Sequence, residues 1–288
     1  MCLIWGLPYL FIRVAVEHIS PGTLVFLRTG VASLVLLPLA LARRELMPVL
    51  SRWKWLMVFA GIEVMLPWLL LSDAERHLNS SLAGLLVAGV PLVGAVAARF
   101  SAHGDRVNRI QLVGLLIGVV GVASLVGLDF SDLDLFALAE MGVVTICYAG
   151  GPIILARSLS DLPGLGVIAA ALVVSAIGYL PFAIVEPPRS LSRPVISSVI
   201  ILALVCTAAA FVLFFALIAE IGPTRATVIT YVNPAVAVAL GVLVLDEHVT
   251  AGMIVGFPLI LAGSILGARK AATGGHGTIE PVKSVSVA

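Results

Sequence analysis

Two carboxylates stand in stretches of chain where a charge is costly. Glu63 lies ten residues into the apolar run Trp53 to Ser72, and Glu140 lies about one turn into the run Leu135 to Ala156. A charge at the centre of a hydrocarbon layer costs roughly 2.5 to 3.5 kcal/mol on insertion scales, so each acid needs compensation. For Glu63 the functional reading is proton titration or cation binding in a central cavity, and the structural reading is a protonated or paired acid. Glu140 is shallow enough to reach headgroups or water, so the two readings weigh equally there.

Polar and aromatic residues in other apolar runs extend this set. Arg13 precedes Glu17 by four residues, the spacing of an ion pair on one helix face. Arg28 lies in the run Thr23 to Ala42. Snorkelling and pairing would explain both arginines, whereas Arg28 facing a cavity would be a clamp for a carboxylate or phosphate. Thr207 is a polar counterpart of Glu63, 144 residues later. Tyr231 and Asn233 precede Pro234, whose ring frees a backbone carbonyl, and this predicts a cavity-lining role. Trp5, Tyr9 and Tyr148 could surround a substrate or belong to the interfacial aromatic belt.

Other chemistries lack their residues. Cys2, Cys147 and Cys206 are isolated and read as core thiols, and the histidines at 18, 77, 103, 248 and 276 are scattered. With no zinc spacing, no phosphate-binding Gly-Lys loop and neither His-Glu-x-x-His nor Gly-x-Ser-x-Gly, no metal, no cofactor and no enzyme are expected. The rival class is a membrane-embedded enzyme acting on a lipid-linked substrate; a channel is more distant. A net charge of +1 with scattered signs gives no nucleic-acid stripe.

The elements that carry these residues are predicted to be membrane spans. The chain is 60% hydrophobic and 11% charged, with a mean hydropathy of +1.15, against about 45 to 50% and 25% in soluble domains. A span needs about 20 apolar residues. Nine runs qualify: 23–42, 53–72, 81–100, 110–128, 135–156, 163–185, 195–219, 224–245 and 249–268. A tenth, residues 1–16, is short. It lacks the basic start and cleavage site of a signal peptide, so it is read as a first span whose true start can lie upstream. Residues 270–288 read as a disordered cytoplasmic tail.

Charge orients the spans. Lys54, Lys270, Lys283 and the arginines at 43, 44, 52, 99, 106, 109, 157, 225 and 269 fall on one side, whereas only Arg76, Arg189 and Arg193 fall on the other. By the positive-inside rule both termini are cytoplasmic, which requires an even number of crossings. Arg outnumbers Lys 14 to 3, a bias associated with GC-rich bacterial genomes, so a bacterial cell membrane is the expected location.

One register relates the two halves. Trp5-Gly6 and Tyr148-Ala149 are 143 apart, as are Pro91 and Pro234, while Gly114 and Gly121 find Gly256 and Gly263 at 142. Residues 1–128 and 135–269 thus read as two five-helix repeats. Five being odd, the halves are inverted, as in many secondary transporters. The fold class predicted is an all-α integral membrane protein of ten transmembrane helices in two inverted five-helix repeats. Gly114/Gly118, Gly252/Gly256 and Gly263/Gly267 have the spacing that lets helices approach closely, within the chain or in a homodimer.

Trp5-Gly6, Arg28, the Tyr231 to Pro234 run, Leu245 to Glu247, Thr250 and Gly256 resemble the EamA branch of the drug/metabolite transporter superfamily. The resemblance spans nearly the whole chain and implies a ten-span carrier of small metabolites in the lipid bilayer. Departures are Gly104-Asp105 in place of a Gly-Glu pair, and Glu63 and Glu140 where neutral residues are usual. The combined expectation is a secondary carrier working by alternating access, an exporter of amino-acid-like or amphipathic solutes with proton coupling through Glu63. Its pathway residues would be Glu63, Glu140, Thr207, Trp5, Tyr148, Tyr231, Asn233 and Arg28.

Overall fold

The computed structural model describes residues 1–99, 109–127, 134–188, 192–221 and 232–267, and among them every regular element is helical. In chain order these are α1 (Cys2–Val16), α2 (Pro21–Ala42), α3 (Leu46–Leu50), α4 (Trp53–Phe59), α5 (Leu66–Ala74), α6 (Ser80–Val87), α7 (Val90–Arg99), α8 (Arg109–Gly127), α9 (Leu135–Ser158), α10 (Gly164–Val185), α11 (Arg193–Ile200), α12 (Ala210–Ile221), α13 (Asn233–Val244) and α14 (Ala251–Gly267). Among the described residues, five continuous helical stretches are long and apolar enough to cross a membrane: Pro21–Ala42, Trp53–Ala74, Leu135–Ser158, Gly164–Val185 and Arg193–Glu220. The other apolar helices are shorter. Large apolar side chains such as Leu34, Ile177, Ile184 and Leu243 point outward, the surface expected of a protein solvated by lipid. The 270–288 tail lies outside the described residues.

Local chemistry fixes where helices begin and end. Pro21 opens α2, where a missing N–H is harmless. Asn79 Oδ1 caps α6 by accepting from Leu82 N at 2.7 Å, and Asp134 Oδ1 caps α9 by accepting from Phe136 N at 2.8 Å. After α2, Arg44 takes φ 57°, and the Glu45 N–H returns to the Ala40 carbonyl.

The run 81–100 is not one helix. It breaks at Ala88 and Gly89 because Pro91 has no N–H to offer and its ring crowds the carbonyl four residues earlier. Ala88 and Gly89 instead close tight turns onto Leu85 and Leu86, and the Ala88 carbonyl accepts from Ser264 Oγ at 3.3 Å.

Among the described residues two apolar stretches contain π-helical segments, Ala60–Met65 between α4 and α5 and Ile201–Ala209 between α11 and α12. These wider turns offset the hydrogen-bond register, a feature often found at functional sites. They hold Glu63 and Thr207. The Tyr179 hydroxyl donates to the Met65 carbonyl at 3.0 Å, and Thr207 Oγ1 donates to the Leu202 carbonyl at 2.8 Å.

Elements recur along the chain. The bounds of α2 and α10 are offset by 143 at both ends, α7 and α13 begin 143 apart, and the first π segment shifted by 143 falls within the second. Neighbours recur too. α1 packs on α13 as α9 packs on α7, α2 packs on the second π segment as α10 packs on the first, and α2 and α10 pack on each other.

The closest pairing joins α8 to α14. A methyl at Gly263 would lie 2.5 Å from Gly118 N and 2.6 Å from the Gly114 carbonyl, and one at Gly114 would lie 2.6 Å from Gly267 N. These neighbours are backbone, so the helices must separate to admit a side chain. Gly263→Ala is expected to destabilise the protein by about 1 to 3 kcal/mol. Thermal unfolding in detergent checks this, and an unshifted midpoint would refute such close packing.

Candidate functional site

Arg28 is 7% exposed and turns inward from the second turn of α2. It does not snorkel, because its partners lie inside. Its Nε donates to Thr207 Oγ1 at 3.0 Å, and its guanidinium carbon lies 3.6 Å from the centroid of the Trp68 ring. A desolvated cation over an indole is stabilised by about 2 kcal/mol or more, which offsets part of the burial cost. Tyr9, Tyr148, Glu75 and Cys206 lie within electrostatic reach of the same guanidinium. One cluster therefore joins α1, α2, α5, α9 and the second π segment.

Glu63 approaches this cluster from the first π segment. Its carboxylate lies against Gly151 of α9, where any side chain would overlap it, and Tyr148 is within its electrostatic reach. Glu63 Oε2 is buried and has no hydrogen-bond partner among the described residues. An unpartnered buried oxygen is costly and calls for a proton, an ion or a solute.

Other candidates have further neighbours of their own. Trp5 packs at an angle against an aromatic group on α12, its ring centroid 4.7 Å from Phe214 and 6.1 Å from Phe211. Asn233 begins α13 beside it, where the Asn233 carbonyl closely approaches Gly6. Tyr231 lies outside the described residues. Glu140 is not the shallow, water-reaching acid expected. It is 6% exposed, its Oε2 has no hydrogen-bond partner among the described residues, and its neighbours include Asp73 and Asp134. Asp73 in turn accepts from Arg76 at 3.0 Å, and His77 Nδ1 lies 3.4 Å from Asp134. The Arg13–Glu17 pair does not form: Arg13 Nη1 donates to the Glu75 carbonyl, and Glu17 is exposed. Cys147 and Cys206 are free, buried thiols, and Cys2 is only partly buried.

Sequence reasoning missed Trp68 and Glu75. Glu75 is fully buried, with neither carboxylate oxygen hydrogen-bonded among the described residues. Its only signal was its place just past an apolar run.

The sequence profile of the EamA-like transporter family matches residues 1–127 and 137–268. The chain belongs to this family. It is similar to the Escherichia coli K12 protein named uncharacterized inner membrane transporter YedA, 29% identical over 83% of this chain and 78% of that one. It is also similar to an uncharacterized transporter of Archaeoglobus fulgidus, 23% identical over 92% and 95% of the two chains. A solved crystal structure at 18% identity covers 93% of both chains with a TM-score of 0.67, a likeness of fold. The protein is thus a multi-pass membrane transporter.

In this EamA-like chain Glu247, part of the Leu245 to Glu247 run, caps a helix. Its carboxylate accepts from Ser80 N at 2.7 Å and Ser81 N at 3.0 Å, at the start of α6, and from Ser81 Oγ. Asp246 takes φ 54° to turn Glu247 back, and Gly241 leaves room for the carboxylate. The helix N-terminus favours the negative charge. Glu247→Ala is expected to lower stability by about 1 to 2 kcal/mol, with Glu247→Gln intermediate. Unfolding midpoints of the two variants check the order.

Proposed function

We propose that the protein is a secondary carrier with ten spans in two inverted halves, residues 1–128 and 135–269, alternating between openings to either side. The recurring offset of 143 and the recurring neighbour pairs support the repeat. With both termini on the cytoplasmic side, α3 and the 157–163 turn lie at the same face.

The observation that carries the reading is Arg28, a buried cation of the first half bonded to Thr207 of the second and stacked on Trp68. A carboxylate meeting the Nη edge of that guanidinium would be held in a planar fork, while Trp68 and Tyr148 supply apolar and aromatic surface. Amino-acid-like or amphipathic anionic solutes fit this chemistry. Glu63, unpartnered a short way along the same cluster, carries the coupling proton.

Uptake and efflux in proteoliposomes, across a panel of amino acids and aromatic acids with and without an imposed pH gradient, test the proposal. Flux of a carboxylate-bearing solute that rises with the gradient is expected. Absence of flux for every such solute would overturn it.

A further inference from the structure

Away from this centre, Ser51 to Trp55, Arg157 and Ser158 enclose an open pocket of about 570 Å³. We infer that it binds the headgroup of an anionic phospholipid that bridges the two halves of the transporter.

The pocket is charged and partly rigid. Arg52 donates to Asp161 Oδ1 at 2.9 Å and Oδ2 at 2.7 Å, and to the Ser158 carbonyl at 2.8 Å, which ties the start of α4 to the turn after α9. Asp161 balances Arg52. Lys54 and Arg157 also line the pocket, one from each half. A phosphodiester headgroup between them bonds both halves at once.

The surroundings select a lipid over a soluble anion. Trp53 and Trp55 are 58% and 49% exposed at the very start of a membrane-length helix, the position where indoles settle at headgroup depth. The Lys54 ammonium lies 5.8 Å from the Trp53 ring. On the preceding helix α3, Met47 and Leu50 are exposed and offer apolar surface for an acyl chain. A soluble phosphate has no use for that shelf.

The test uses the full-length protein in phosphatidylcholine vesicles doped with brominated phosphatidylglycerol, whose bromines quench tryptophan on contact. Preference for phosphatidylglycerol over brominated phosphatidylcholine is expected, falling about fivefold for each of Lys54→Gln and Arg157→Gln. Lys54→Arg should keep the preference, and Trp53→Phe should remove most of the lipid-specific quenching. Equal quenching by both lipids in the unaltered protein overturns the inference without need of any variant. So does full displacement by glycerophosphate, which would mark a site for soluble anions. An undiminished preference in the folded double variant also overturns it.

Discussion

Glu63→Gln is expected to abolish solute accumulation driven by a pH gradient in proteoliposomes while leaving solute exchange and membrane insertion intact. Glutamine matches the carboxyl group in shape, so packing against Gly151 is preserved, but it has no proton to gain or lose. A carrier that couples through one carboxylate then runs only down the solute gradient. The carboxylate is suited to this because Oε2 finds no partner among the described residues and its π-helical turn holds it beside Tyr148 and the Arg28 cluster. If Arg28 holds the solute as proposed, proton binding at Glu63 would alter the field around it. Gradient-driven accumulation by Glu63→Gln equal to that of the unaltered protein would remove Glu63 from the coupling role and leave the carrier reading standing.

Much of the scaffold is legible in one dimension because lipid imposes a simple rule: backbone polar groups must be satisfied within each apolar segment, so apolar runs become helices. Helices α2, α9 and α10 start and stop within a few residues of the runs that predicted them. The break at Ala88 and Gly89 was less legible. Hydropathy does not register Pro91, and a proline in a span is often absorbed by neighbouring helices. The π segments were invisible, since hydropathy is blind to the register of backbone hydrogen bonds. Yet they place Glu63 and Thr207, which the 144-residue spacing had already paired.

Side-chain direction was the harder part. Arg28 near the end of a span has two physical outlets, headgroups or interior, and only the tertiary position of Trp68 and Thr207 shows that it takes the inner one. The i,i+4 spacing of Arg13 and Glu17 was a local argument defeated by a longer-range partner. Arg13 instead satisfies the Glu75 carbonyl at the C-terminal end of α5, where carbonyls lack helical donors and the helix dipole favours a cation. For Glu140 the sequence showed only a place about one turn into an apolar run, which suggested contact with headgroups or water. It could not show Asp73 and the rest of α5 covering that face.

The second large effect concerns the grip on the solute. Arg28→Lys keeps a positive charge at the same point on α2 and is expected to cut transport by about ten- to a hundredfold. A hydrogen bond to a charged group contributes about 1.5 to 3 kcal/mol, and every 1.4 kcal/mol is a factor of ten. Lysine offers a compact ammonium in place of a planar fork, so it loses the bidentate geometry and the flat stacking on Trp68 together. Charge alone would make the two residues interchangeable, and geometry makes them different. Trp68→Leu should act in the same direction, because it removes the face that orients the guanidinium while leaving the bond to Thr207 available. Thr207→Ser retains a hydroxyl for Arg28 Nε and should transport nearly as well as the unaltered protein, whereas Thr207→Val loses it and should fall with Arg28→Lys. Initial rates over a range of solute concentrations separate grip from motion: weakened binding raises the half-saturating concentration, and an arrested cycle lowers the maximal rate. If Arg28→Lys alters neither, Arg28 is a fastener between α2 and the second π segment, and the solute is held elsewhere.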